Sequence, residues 1–161
     1  MMKFKWLVVL VLFLIGVCPC LADDGAKLAG TWKLLSWDVE FLTGERETPL
    51  GKNPTGYRIF GPEGRMMILV TGEGRKIPAT DQDRSNLWKT IVAYSGMYRI
   101  EGDKCVIKVD ASSNPATVGT ELAHSFRLDG DRLQVITAWM DAVLRPERKK
   151  VRFVSTWDRA K

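Results

Sequence analysis

Gly30-Thr31-Trp32-Lys33-Leu34-Leu35-Ser36-Trp37-Asp38-Val39-Glu40-Phe41 is the stretch that decides the fold. Leu35, Trp37, Val39 and Phe41 alternate with Ser36, Asp38 and Glu40. Successive side chains of a strand point to opposite faces, so this pattern predicts a strand with one apolar and one wet face. Trp32 and Leu34 fall on the opposite phase. A bulge or sharp bend near Leu34-Leu35 reconciles the two phases. A long, bent first strand is what a sheet needs to curl into a barrel.

Before this stretch the chain reads as an export leader. Met1-Met2-Lys3-Phe4-Lys5 is basic, Trp6 to Val17 is apolar apart from Gly16, and Cys20-Leu21-Ala22 places small residues at a cleavage site. The apolar run is shorter than the ~20 residues of a membrane span. Cleavage after Ala22 is the expectation, with an uncleaved anchor or a lipoprotein as alternatives. Removing 22 of 161 residues leaves 139, the size of one domain. Losing Lys3 and Lys5 lowers the net charge from +5 to +3. Cys18 and Cys20 leave with the leader, so Cys105 alone remains and no internal disulfide is expected.

After the first strand, turn residues and short strands follow one another. Pro49 to Gly56 is a loop, Tyr57–Phe60 a strand, and Gly61-Pro62-Glu63-Gly64 a tight turn. Arg65–Val70 lacks alternation and predicts a strand covered on both faces. Thr80 with Asp83 is a capping-box pattern, and Leu87, Trp88, Ile91 and Val92 continue it at helical spacing. This helix reads either as a plug in one end of a barrel or as a movable lid. Tyr94–Glu101 and Cys105–Val109 are further strands. Leu122, His124, Phe126 and Leu128 share a face, Asp129-Gly130-Asp131 is a hairpin turn, and Leu133, Val135, Thr137 and Trp139 share the next face. A polar arm, Asp141–Lys150, leads to a last strand, Val151–Trp157. The sum is an all-β, up-and-down antiparallel barrel of about eight strands with one short helix. A Greek-key sandwich is the alternative, but it requires longer crossing connections.

These blocks, in this order, resemble the bacterial lipocalin-like domain family over nearly all of the mature chain. The likeness is carried by Gly30-Thr31-Trp32, Pro49-Leu50-Gly51, Pro54-Thr55-Gly56-Tyr57, Pro62-Glu63-Gly64-Arg65-Met66, Ala93-Tyr94-Ser95-Gly96-Met97-Tyr98, Asn114-Pro115, Asp129-Gly130-Asp131 and Thr156-Trp157-Asp158-Arg159. It departs at Cys105-Val106-Ile107-Lys108, where members often carry a histidine, and near His124, where an arginine is common. The resemblance implies a calycin-type barrel in which a C-terminal arginine, Arg159 or else Arg152, packs over Trp32. It also implies an interior for a small apolar molecule.

Composition narrows the chemistry. One His and one Cys in the mature chain share no ligand motif, so no metal and no cofactor are expected. There is no G-x-S-x-G elbow and no Gly-rich loop in a βαβ unit. Arg145, Arg148, Lys149, Lys150 and Arg152 read as a solvated hairpin, with anionic lipid or sugar as the alternative partner, and nothing points to nucleic acid. Membrane contact is expected only through the leader, if it stays uncleaved. The candidate ligand contacts are Trp37, Phe41, Tyr57, Ile68, Tyr98, His124, Phe126 and Trp139, taken as inward-facing. His124 carries three readings: a satisfied core histidine, a ligand contact, or an acid–base group. The expected function is an exported protein that binds a small hydrophobic or amphipathic ligand. An isomerase or cyclase using the same cavity, and a filled barrel serving as an interaction module, are the alternatives.

Overall fold

The computed structural model describes residues 23–143 and 148–161. The expected leader and Arg145 lie outside the described residues. A short helix, α1 (Asp23–Leu28), precedes the long strand β1 (Gly30–Phe41). Then come β2 (Arg46–Glu47), β3 (Thr55–Phe60), β4 (Arg65–Thr71), α2 (Asp81–Trp88), β5 (Ile91–Glu101) and β6 (Lys104–Ser112). The chain ends with β7 (Glu121–Asp129), β8 (Arg132–Thr137), β9 (Met140–Val143) and β10 (Arg148–Arg159). Eight of these strands form a closed antiparallel barrel in the order β1-β3-β4-β5-β6-β7-β8-β10, shut by pairing of β1 with β10. The short β2 and β9 flank it.

The bend in β1 is where the two hydrophobic phases meet. The β1–β10 register shifts between Leu34 and Ser36. Trp32 and Leu34 are buried before the shift, Trp37, Val39 and Phe41 after it, and Leu35 is left outside. One strand thereby serves both ends of a twisted barrel.

Trp32 shuts one end. It is fully buried, and its Nε1 donates to the Leu28 carbonyl at 2.8 Å. The Arg159 guanidinium lies 4.2 Å from the centre of the Trp32 ring, as the resemblance implied. Arg159 also donates to the carbonyls of Ala29 (3.0 Å) and Lys27 (2.6 Å) and pairs with Asp131 at 3.3 Å. Gly30 is required at this point: its φ is +128°, and a Cβ there would lie 2.9 Å from Arg159 Nη1. The closed end is thus covered by α1 and its following turn, not by α2.

Three expectations are corrected. The capping box at Thr80 and Asp83 is formed, but α2 ends at Trp88, and Ile91 and Val92 begin β5. The chain turns at Lys89-Thr90, where Thr90 N donates to Leu87 O at 3.0 Å. Helical spacing had continued through residues that already belong to a strand. Second, α2 buries no residue and Trp88 is 61% exposed, so the helix is not a plug. Third, β4 is not covered on both faces. Met66, Ile68 and Val70 face inward, while Met67 and Leu69 lie beside Tyr57 and Ile59 on the outside of the barrel.

Candidate functional site: the cavity at the open end of the barrel

The end opposite Trp32 is hollow. A cavity of about 330 Å³ is walled by Trp37, Val92, Tyr94, Leu122, His124 and Phe153. Ile91 and Met140 complete its apolar rim, and Ser112, Ser113, Asn114 and Thr117 border its mouth. Strands supply the wall and the β6–β7 connection supplies the rim. The mouth's polar groups are largely spent on backbone. Asn114 caps the turn at Pro115–Thr117 by accepting from Ala116 N at 3.2 Å, Ser113 Oγ accepts from Ala93 N at 3.3 Å, and Thr137 Oγ1 accepts from Phe153 N at 2.9 Å. A second depression, of about 360 Å³, lies outside the barrel beside α2. There Arg75 already bonds Leu87 O and Thr90, and Asp83 is held in the capping box.

The barrel register carries the wall down into the interior. Trp32 pairs with Arg58, Arg58 with Ile68, Ile68 with Tyr94, and Tyr94 with Ser112. This rung runs obliquely from the closed end to the mouth. Arg58 lies on it as a charged residue only 2% exposed. Its guanidinium sits 4.9 Å from the centre of the Trp157 ring. Its Nε is buried without a hydrogen-bond partner, and it forms no ion pair among the described residues.

The other interior polar groups are neutral. Burial, with the positive charge of Arg58, pushes His124 down to about 3. Burial pushes the Cys105 thiol up to about 11 and also raises Tyr94, with Arg58 opposing both shifts. His124 Nδ1 is buried without a hydrogen-bond partner. The Tyr94 hydroxyl makes no hydrogen bond among the described residues. Cys105 and His124 are direct cross-strand partners. That placement does not make an activated nucleophile, because the thiol holds its proton and the imidazole is a weak base here.

The structure separates the sequence-derived candidates. Trp37 and His124 line the cavity. Ile68 is buried on the oblique rung, one strand from Tyr94. Tyr98 lies near the closed end, edge-on to Phe60 at 5.0 Å, with its hydroxyl donating to Gly61 O at 3.1 Å. Phe126 packs against the core away from the cavity wall. Phe41 joins Val39 and Val151 in a separate cluster. Tyr57 is a correction: it is 45% exposed, because Gly56, Arg58 and Phe60 take the inward phase of β3. Trp139 is another, 40% exposed beyond the end of β8 and stacked on Arg152 at 4.8 Å. His124 is not a satisfied core histidine, since its Nδ1 lacks a partner. Arg58 and Tyr94 were missed. Their one sequence signal is parity within their own strands, Arg58 with Phe60 and Tyr94 with Val92 and Tyr98.

A family model described as "Lipocalin-like domain" matches residues 29–160. The chain belongs to that family. Its lipocalin-like domain therefore spans every barrel strand, from β1 to β10. No curated protein sequence matches the chain. Among solved structures, this lipocalin-like domain is similar to EF1p2_mFAP2b bound to DFHBI, at 15% identity and a TM-score of 0.42, covering 84% of this chain and 97% of that one. It is also similar to Rv2717c from M. tuberculosis, at 17% identity and a TM-score of 0.35, covering 89% and 99%.

Proposed function

We propose that this lipocalin-like domain holds a small hydrophobic or amphipathic molecule in its open-end cavity. The observation that carries the reading is an apolar hollow of about 330 Å³ inside a closed barrel, with the unpartnered His124 in its wall. That volume falls in the range of roughly 300–1,000 Å³ typical of small-molecule sites. Burial of apolar ligand surface, at about 25 cal/mol per Å², supplies most of the affinity. His124 and Tyr94 supply orientation. A barrel packed solid would have filled this space with side chains, which argues against a purely structural module. The protonated thiol beside a weakly basic imidazole argues against nucleophilic use of the same space.

Native mass spectrometry of protein purified from its own host tests the reading. A reproducible added mass is expected, and Trp37 fluorescence should respond when the molecule is removed and restored. Unliganded protein whose Trp fluorescence stays flat against a broad panel of lipophilic compounds overturns it. We also propose export, supported by the leader pattern of residues 1–22. Protein from the host should begin at Asp23, and retention of Met1 in the mature form counts against cleavage.

A further inference from the structure

We propose that the ligand is an acid: a hydrophobic monocarboxylate whose carboxylate seats on Arg58 while its tail fills the open-end cavity. The proposal rests on the binding reading and names the ligand's class. Its basis is the state of Arg58. An arginine stays protonated in a protein, and a buried charge without a partner is among the costliest arrangements a core can hold. Arg58 is 2% exposed, its Nε is orphaned, and it forms no ion pair among the described residues. The indole of Trp157 covers it but accepts no hydrogen bond from it.

The protein treats its other tryptophan-stacked arginines differently. Arg152, over Trp139, has a buried Nε without a partner like that of Arg58, but its Nη2 donates to Glu40 at 2.6 Å. Arg159, over Trp32, has two carbonyls and Asp131. Only the arginine inside the barrel has neither a carboxylate nor a carbonyl partner among the described residues, and the interior groups nearest in charge coupling offer it no anion. Tyr94, Cys105 and His124 all feel its charge, yet all are neutral near pH 7. A ligand carboxylate is the partner that fits this site.

Charge and shape set its class. One guanidinium neutralises one negative charge, which suits a carboxylate and leaves a dianion half-compensated. The planar fork of donors matches a carboxylate in two parallel hydrogen bonds. Tyr94 stands two strands away on the same rung and lines the cavity, and its hydroxyl makes no hydrogen bond among the described residues. The apolar wall above it, with Trp37, Val92, Leu122 and Phe153, fits a hydrocarbon or aromatic tail and not a sugar or nucleotide. Arg58 lies behind the cavity wall, close enough for its charge to act on the wall residues Tyr94 and His124, so the acid head has to displace that wall locally to reach the guanidinium.

The test compares ligands that differ only at the head. Protein stripped of co-purified material is titrated at pH 7.5 with decanoate, methyl decanoate and 1-decanol, read by calorimetry and Trp fluorescence. Decanoate should bind roughly tenfold or more tightly than the neutral pair, the scale of a charge-assisted hydrogen bond. Arg58→Met should remove that preference while leaving 1-decanol affinity within about twofold, because the tail contacts are untouched. Arg58→Lys should fall between, keeping the charge and losing the fork. Equal affinities for acid, ester and alcohol in the wild type overturn the acid assignment and leave the binding reading intact. Binding of none of the three, together with no added mass in host-derived protein, overturns both. A preference for decanoate that survives in Arg58→Met, or its complete abolition by 100 mM chloride alone, also overturns the assignment. The wild-type comparison needs no variant, so it decides the matter even if Arg58→Met fails to fold.

Discussion

Arg159 and Arg58 make the same contact at two levels of one barrel, and the difference between them separates structure from function. Each lays a guanidinium on a buried tryptophan, at 4.2 Å from Trp32 and 4.9 Å from Trp157. Arg159 sits at the rim of the closed end, where two carbonyls and Asp131 take its donors. Arg58 sits inside with no ion-pair or hydrogen-bond acceptor among the described residues. The first arginine is a latch, complete in the ligand-free protein. The second, on the proposal above, is completed by a ligand carboxylate. A stacked arginine is therefore not diagnostic by itself, and what its donors meet decides its role.

The largest effect is expected at the latch itself. Trp32→Ala should cost about 3–5 kcal/mol, the range for emptying a fully buried aromatic site, and is read by denaturant unfolding. Arg159→Met should cost about 1–3 kcal/mol, since it removes the stacked cation and strands two carbonyl acceptors. Arg58→Met should have the opposite sign. Replacing an unpaired buried charge by an apolar side chain of similar length should leave the ligand-free protein as stable or more stable, by up to about 2 kcal/mol. If Arg58→Met and Arg159→Met destabilise the ligand-free protein equally, the distinction between the two arginines fails.

His124 sharpens the same contrast through pH. Its folded value is held near 3 against an ordinary 6.5, first by burial and then by Arg58. Between these values the unfolded chain binds the proton and the folded chain does not, so folding stability falls as pH drops from 6.5 towards 3. The slope is at most about 1.4 kcal/mol per pH unit for one proton, and the loss stops growing once the folded form is also protonated. His124→Leu should flatten that slope in denaturant titrations across the window. An unchanged slope would assign the acid sensitivity to other groups. The smallest effect is expected at α2. Trp88→Ala should change neither stability nor decanoate binding by more than about 0.5 kcal/mol, as for an exposed side chain. A large loss of binding would restore the helix as part of the site.

The barrel was legible because alternation marks strands directly. The phase change at Leu34-Leu35 fixed the bend, and Thr80 with Asp83 fixed the start of α2. The site was legible only in part. Trp37 and His124 lie on strands with a single apolar face, so their direction could be read. β3 and β4 are different, because Tyr57, Ile59, Met67 and Leu69 form an apolar outer surface that matches the inner one in hydrophobicity. Parity there is ambiguous, and the ordinary preference for burying Tyr over Arg points the wrong way. Arg58 was hidden because a buried arginine breaks the rule by which strands are read, and such local violations tend to collect at functional positions. Trp139 was misplaced because β8 stops at Thr137 and the alternation runs on past the strand.

The closing seam joins the first strand of the barrel to its last, so residues as far apart as Glu40 and Arg152, 112 positions along the chain, must meet before the barrel exists. Every other neighbouring pair of the barrel joins strands consecutive in the chain or separated only by the short β2 or β9. Contacts of such long separation slow folding, since the entropy of closing the chain is lost before the seam compensates for it. A chain still lacking β10 leaves β1 and β8 as open edges, able to pair with other chains. Closure waits on the final twelve-residue strand. The chain thus becomes a container only once β10 has been made, and an open sheet lacking that strand would have to be kept apart from its own copies.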